Sequence, residues 1–198
     1  MAKLKLTKNE LKKQKDSLKM FNRYLPTLIL KKQQLQAEIR IVENRANELL
    51  IQKNNMEEAF KKWIAVFSET EVFTPDILKI THIRTKEGNV AGVTIPIFDG
   101  ADFEISDYDL INTPLWLDLA VNNMKKTLQL DLEAQVLAEE IKLLRKELKT
   151  TSQRVNLFEK IKIPECKVNI KKIGVYLGDQ QTAAVVRGKI AKKAMEVN

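Results

Sequence analysis

A seven-residue repeat of apolar side chains runs through the first third of the chain. With Leu4 taken as position a of the repeat, apolar residues occupy 15 of the 19 a and d positions between residues 4 and 67. Three or four such repeats already indicate a coiled coil, and a strict period of seven implies that the helices wind around each other in a left-handed sense. The sequence therefore predicts one long helix over residues 1–71, packed along its apolar stripe on a second helix.

Glycine and proline mark where this helix gives way to other structure. Residues 1–71 contain no glycine and one proline, whereas residues 72–118 contain three of each. Both residue types interrupt helices, so the middle segment is predicted to be a compact insert. A second, less regular apolar stripe then follows. The chain thus divides into an N-terminal helix, the insert and a C-terminal helix over residues 119–198 that is broken or kinked near residue 164.

Two long helices joined by a short insert most simply fold back on each other. We therefore predict a mainly α fold, a long antiparallel two-helix left-handed coiled coil with a β-hairpin in its central insert. At 1.5 Å per residue, about 65 paired residues would form a rod of roughly 100 Å. Within the insert, β-rich runs at residues 79–84 and 90–97 flank Gly88 and Asn89, which are predicted to supply the hairpin turn. Pro114 is predicted to begin the return helix.

Pro26 is an anomaly within the first apolar repeat. Proline in a helix interior removes a hydrogen bond and costs about 3 kcal/mol, so the helix either kinks there or is interrupted near Leu25. The apolar positions stay in phase on both sides of Pro26, which favours a kink. Lys32 and Lys53 also occupy a positions, where a charged residue commonly fixes the register of a coiled coil.

The composition excludes several functional classes. A single cysteine, Cys166, cannot form an internal disulfide and indicates a reducing compartment, and a single histidine, His82, cannot supply a typical catalytic zinc site. The longest uncharged stretch, residues 88–98, has 11 residues, against the roughly 20 needed to cross a bilayer. A phosphate-binding glycine loop is absent, and the acidic residues near Asp102 lack the spacing of a calcium loop. The sequence predicts no cofactor, metal or catalytic site, no membrane insertion and a cytoplasmic location.

Positive charge is concentrated at the two ends of the chain. The net charge is +8, of which residues 1–19 contribute +5 and residues 186–198 contribute +3, while the insert carries −5. In an antiparallel hairpin both ends meet, which makes one tip basic. A basic tip can bind nucleic acid, but this one lacks interleaved aromatic residues and any recognisable nucleic-acid module. Solvated helix ends or a socket in a protein partner are therefore favoured, and no nucleic-acid partner is expected.

One block of the second helix carries a family resemblance. Residues 149–164 resemble a signature of the D subunit of V-type and archaeal-type (V/A) rotary ATPases, and residues 6–35 and 187–190 are similar to that family's opening helix and basic C-terminal element. The matching positions in the block are Lys149-Thr150-Thr151, Arg154-Val155-Asn156, Glu159 and Ile163-Pro164.

The resemblance implies a central rotor shaft without catalytic residues of its own. Such a shaft would couple ATP hydrolysis or synthesis to rotation of a membrane ring and to proton or sodium transport. The implied partners are the catalytic A/B hexamer, a small F subunit and a funnel-like C/d subunit above the ring, which would place the chain at the cytoplasmic side, peripheral to the membrane. A non-motor structural or tethering coiled coil is the alternative. The candidate partner-binding residues are Lys31, Lys32, Arg154, Glu159, Arg187 and Lys189.

Overall fold

A computed structural model describes residues 4–61, 77–106 and 116–196 of the chain. It confirms the predicted fold class, a mainly helical hairpin with a central two-stranded antiparallel sheet. The chain forms two compact units, a central unit of Gln33–Lys149 and a terminal unit of Met1–Lys32 with Thr150–Asn198. The elements in chain order are α1 (Lys8–Lys61), β1 (Leu78–Val90), β2 (Val93–Ile105), α2 (Trp116–Asn156), a π-helical turn (Leu157–Lys162) and α3 (Ile163–Glu196).

In the central unit, α1 and α2 pack in opposite directions. Glu43 of α1 pairs with Arg145 of α2, and Lys53, further along α1, pairs with Asp131, earlier on α2. The core between the two helices is aliphatic, and burial of these side chains is the main force holding the pair together. Its buried members are Leu35, Ile39, Val42, Leu49, Leu137 and Leu144, with Ile95 of β2.

The β-hairpin turns three residues later than the sequence predicted. Val90 pairs with Val93, so the turn consists of Ala91 and Gly92, with φ angles of 50° and 80°. Two successive residues with positive φ match the right-handed twist of hairpin strands, which a glycine accommodates at no steric cost. Asn89 contributes its side chain instead of its backbone, because its Oδ1 accepts a 3.0 Å hydrogen bond from the Gly92 amide. The prediction of a turn at Gly88 and Asn89 is therefore wrong.

The hairpin lies against the helices at two places along its length. Near its tip, Ile95 is only 3% exposed and belongs to the core of the helix pair. Near its base, the Lys125 ammonium of α2 lies 5.5 Å from the centre of the Phe103 ring, within cation–π distance. Just before β1, Ile77 clusters with Leu117 and Val121 at the start of α2. The hairpin is thus a packed part of the central unit.

In the terminal unit, α1 passes through Pro26 without a break. The helix begins after Thr7, whose hydroxyl accepts a 3.3 Å hydrogen bond from the Glu10 amide, and it continues to Lys61. Beside the proline, the Thr27 hydroxyl donates to the Tyr24 carbonyl over 2.7 Å. The helix is therefore not interrupted near Leu25, and the kink stays a prediction.

The partner of α1 in the terminal unit is helical with one irregular turn. α2 changes to π-helical hydrogen bonding over Leu157–Lys162 before α3 starts at Ile163, and helical structure continues through Pro164. The ring centroids of Phe21 and Phe158 lie 4.9 Å apart, which joins α1 to the π turn. The predicted break or kink near residue 164 stays a prediction, as do the segment boundaries. Pro114 lies outside the described residues.

Candidate partner-binding surface

All six candidate partner-binding residues belong to the terminal unit. Lys31 and Lys32 lie on α1 and are half-buried. Arg154 near the end of α2 and Glu159 in the π turn are exposed. The last two, Arg187 and Lys189, are exposed on α3. Their roles in binding stay predictions, but the four exposed side chains are accessible to a partner.

The last part of α3 is exposed on every side. Every residue from 178 to 195 is exposed, and the last buried residue of α3 is Ile173. A helix packed on one face only would show a buried stripe with a period of 3.6 residues, which this segment lacks. Four basic side chains share the segment with large apolar ones, so it can offer both charge and apolar contact to a partner. The exposed apolar residues are Val185, Val186, Ile190 and Met195.

A shallow groove of about 520 Å³ lies between the two helices of the terminal unit. Leu6, just before α1, forms one wall, and Val168 and Val175 of α3 form the other. Lys171 and Lys172 also line it, which gives the apolar groove a basic margin. The apolar walls and the basic margin suit the groove to contact with a partner.

Cys166 is a buried residue of the terminal unit. It is 6% exposed, and burial raises the pKa of its thiol, to which the nearby Glu165 carboxylate adds. A thiol becomes reactive when its surroundings favour the thiolate, whereas these surroundings disfavour it. Cys166 therefore acts as a small apolar packing residue.

Ion pairs connect α1 to α2 in the central unit. Arg145 with Glu43, Arg45 with Glu133, and Lys53 with Asp131 each have a 2.6 Å contact. The hydrogen bond to Asp131 raises the pKa of Lys53, which stabilises its charged form. Lys53 occupies an a position of the apolar repeat. An ion pair between the helices is the contact expected of a charged residue that fixes the register there.

Glu140 is the buried charge that sequence reasoning missed. It is 6% exposed on α2, and burial raises the pKa of its carboxyl. The nearby Glu38 carboxylate raises that pKa further, and Arg45 partly opposes the shift. The sequence contained a signal of this burial. Glu140 lies three residues after Leu137 and four before Leu144, and these are the spacings of buried residues in a coiled coil.

Two acidic residues of the hairpin pair with basic side chains. Asp99 pairs with Lys86 over 2.5 Å, and Asp102 pairs with Arg84. His82 is exposed in β1, opposite Asp102. Among the residues that the structure describes, no group of three or more potential metal ligands occurs. Asp107 and Asp109 lie outside that part of the chain.

The fold defines a class of long antiparallel helical hairpins that carry a small β insert between their helices. Comparison with known proteins places the chain more closely. Residues 10–193 match the family described as the D subunit of ATP synthase. A V-type ATP synthase D subunit from Borreliella burgdorferi is 53% identical over 98% of this chain and 96% of its own length. Proteins of the same name from Chlamydia pneumoniae and Chlamydia muridarum are 35% and 33% identical, over 98% of this chain and 94% and 97% of theirs. The chain belongs to the family of ATP synthase D subunits, as the resemblance in residues 149–164 predicted.

Within the described ranges, no helix combines the length and apolar character that crossing a membrane requires.

Proposed function

We propose that the chain is the central rotor shaft of a V/A-type rotary ATPase. It couples ATP hydrolysis or synthesis in a catalytic head to rotation of a membrane ring, and thereby to proton or sodium transport. The observation that carries the proposal is the near full-length likeness to proteins named as the D subunit of a V-type ATP synthase. The chain itself is a non-catalytic subunit, so purified alone it should not hydrolyse ATP.

The packing of the helix pair supports a role in transmitting torque. A shaft must resist sliding of one helix along the other, and a buried aliphatic seam resists it because each sliding step exposes apolar surface. In the central unit the seam includes Leu35 and Leu144, both with no exposed surface. The cross-helix ion pairs add register specificity, although each is worth only about 0.2–1 kcal/mol at an exposed site.

The charge distribution supports a division of partners. We propose that the basic terminal unit lies in the catalytic A/B hexamer, and that the small F subunit and the funnel-like C/d subunit hold the rest of the chain above the membrane ring. A shaft that turns within a hexamer should avoid one deep energy minimum. The scattered basic residues of α3, among them Arg187 and Lys189, suit this better than a large continuous apolar patch. When ATP closes one catalytic interface, an asymmetric shaft would be pushed towards the next.

Rotation of the assembled complex is the decisive test. The catalytic head would be fixed to a surface and a bead attached to Thr94→Cys, an exposed position on the hairpin. Native Cys166 is buried and should not compete for the label. ATP-driven stepping of the bead supports the rotor. A complex that hydrolyses ATP while the bead stays still would support the tethering alternative, and failure to co-purify with catalytic subunits would exclude membership of the motor.

A further inference from the structure

The two helices of the terminal unit pack along apolar stripes, or seams, whose spacings differ by one residue. On α1 the half-buried residues Leu11, Gln14, Leu18 and Phe21 alternate by three and four, as a regular coiled coil requires. The partner seam follows the same rule from Thr151 through Val155 to Phe158, where the next member is expected at 162. The residues that are buried instead are Ile163, Cys166 and Ile173. The step from 158 to 163 is five, so the partner helix has one residue more than its seam requires.

The π turn lies at this five-residue step. At its end the Ile163 amide donates to the Phe158 carbonyl, five residues back instead of four. A π turn widens the helix by one residue and so absorbs an insertion. If α-helical bonding had continued, each later residue would be rotated by about 100°. Lys162, Glu165 and Asn169 would then face α1 in place of the buried residues, which would bury charge and expose apolar surface.

We propose that the π turn at Leu157–Lys162 is a hinge. The one-residue insertion, and not Pro164, creates the π turn, and Pro164 then weakens the helix at this turn. Pro164 has no N–H group to give to the carbonyls of Glu159 and Lys160, which lie five and four residues before it. Both residues are exposed, so water can solvate these two adjacent carbonyls. The helix is therefore weakest between Phe158 and Ile163, and it opens and bends there before it does so elsewhere in the terminal unit.

The first experiment separates the insertion from the proline. Pro164→Ala restores an amide donor but leaves the seam one residue too long. The Ile163 amide should therefore keep its bond to Phe158, observable by NMR amide shifts and hydrogen exchange in the full-length chain. A return to plain α-helical bonding over residues 157–163 in this variant would make the proline the cause and overturn the proposal.

The second experiment removes the insertion. In the Pro164→Ala background, deletion of the exposed Lys160 leaves Ile163 four residues after Phe158, so the helix can continue regularly with the same residues buried. We expect amide hydrogen exchange in residues 157–163 to slow roughly five- to tenfold, because about one hydrogen bond is recovered. For the same reason Tm should rise by about 2–4 °C.

Deletion of Lys167, which lies seven residues further on and is also exposed, is the matched control. The helix cannot compensate for this deletion without moving buried residues out of the seam. With the π turn kept, Ile173 leaves the seam, and with the π turn removed, Ile163 and Cys166 leave it. Tm should therefore fall. If the two deletions lower Tm by the same amount, the insertion has no special place at the π turn and the proposal fails.

A crosslink checks that the seam stays in phase. The count starts at the contact between Phe21 and Phe158. Gln14 lies seven residues before Phe21, and Cys166 lies seven residues, plus the inserted one, after Phe158. The side chains of Gln14 and Cys166 should therefore face each other. Since Cys166 is the only cysteine of the sequence, Gln14→Cys creates a single pair. Oxidation should join the thiol introduced at position 14 to Cys166 in a disulfide, both with Lys160 present and with Lys160 deleted. Loss of the disulfide after the Lys160 deletion would show that the π turn does not absorb the insertion.

Discussion

The Arg145 guanidinium of α2 donates a 2.6 Å hydrogen bond to the Glu43 carboxylate of α1, joining residues 102 positions apart in the chain. The pair lies beside the apolar seam, with the Arg145 side chain 64% exposed. A neighbouring pair, Arg45 with Glu133, has the opposite polarity, with its arginine on α1. A shift of either helix by one turn would separate both pairs, so together they favour a single register.

Exchange of the charges should test this register directly. Glu43→Arg or Arg145→Glu alone places like charges together and should lower Tm by about 1–3 °C, because exposed pairs are worth about 0.2–1 kcal/mol. The double exchange should recover most of the loss. High salt should shrink all of these differences, since exposed charges are screened. If the double variant is as unstable as the sum of the two single variants, the pair does not hold the register.

The buried seam should carry far more of the stability than the charges. Leu144 has no exposed surface, and Leu144→Ala should lower the free energy of unfolding by about 2–5 kcal/mol. Leu50 of α1 is 56% exposed and Leu50→Ala serves as a matched control, with an expected change within about 0.5 kcal/mol. Denaturant unfolding followed by circular dichroism would measure both. Equal effects of the two substitutions would contradict the assignment of the seam.

The sequence predicted those features that depend on repetition along the chain. The apolar period of seven indicated the helices, because a buried stripe must recur with the helical turn. The hairpin turn was misplaced because Gly88 and Asn89 resemble a turn pair, while the structure uses Gly88 within β1, opposite Ile95. Ala91 lies in the left-handed region despite its side chain, with Gly92 and the Asn89 amide oxygen completing the turn. A contact between a side chain and a later amide leaves little trace in sequence patterns.

Single exceptions to the repeat were harder to predict. The five-residue step between Phe158 and Ile163 is visible in the sequence, but a π turn is one of several ways to absorb it, and only the three-dimensional packing selects among them. Glu140 was overlooked for a related reason. Its charge suggested an exposed position, although its spacing places it in the seam. For the candidate binding residues the sequence supplied positions only, since contact with a partner depends on the partner's surface as well.

Glu140 should make the stability of the protein depend on pH. Burial raises the pKa of its carboxyl above the ordinary value of 4.5, so the folded state holds the proton more tightly than the unfolded state. Stability contributed by the protonated form is therefore complete at low pH and is lost as pH rises from about 4.5 through the raised pKa. Glu140→Gln, which cannot ionise, should remove this loss, and its Tm should exceed that of the wild type at pH 7.

The comparison needs a pH series and a control. Thermal unfolding would be followed from about pH 4 to pH 7.5 for the wild type, Glu140→Gln and Glu48→Gln, the last being a substitution of an exposed glutamate of α1. The gap in Tm between Glu140→Gln and the wild type should widen with rising pH, while Glu48→Gln should follow the wild type. A gap that stays constant with pH would show that the carboxyl does not titrate differently in the two states.

Arg154 should matter for assembly and little for folding. It is exposed at the end of α2, directly before the buried seam residue Val155, and it belongs to the block that resembles the rotary ATPase family. Because its side chain is exposed, Arg154→Ala should change the free energy of unfolding by no more than about 0.5 kcal/mol. Truncation of an arginine at the centre of a protein interface commonly costs more than about 1 kcal/mol of binding free energy, so binding to catalytic subunits should weaken by roughly fivefold or more.

Arg40→Ala, at an exposed position of α1 in the central unit, is the matched control and should bind like the wild type. Circular dichroism would compare the stability of the variants, and reconstitution with the catalytic subunits would compare assembly and ATP-driven rotation. If Arg154→Ala assembles and couples like the wild type, even when combined with Arg187→Ala, these arginines are solvated side chains and the partner contacts lie on other residues of the helices.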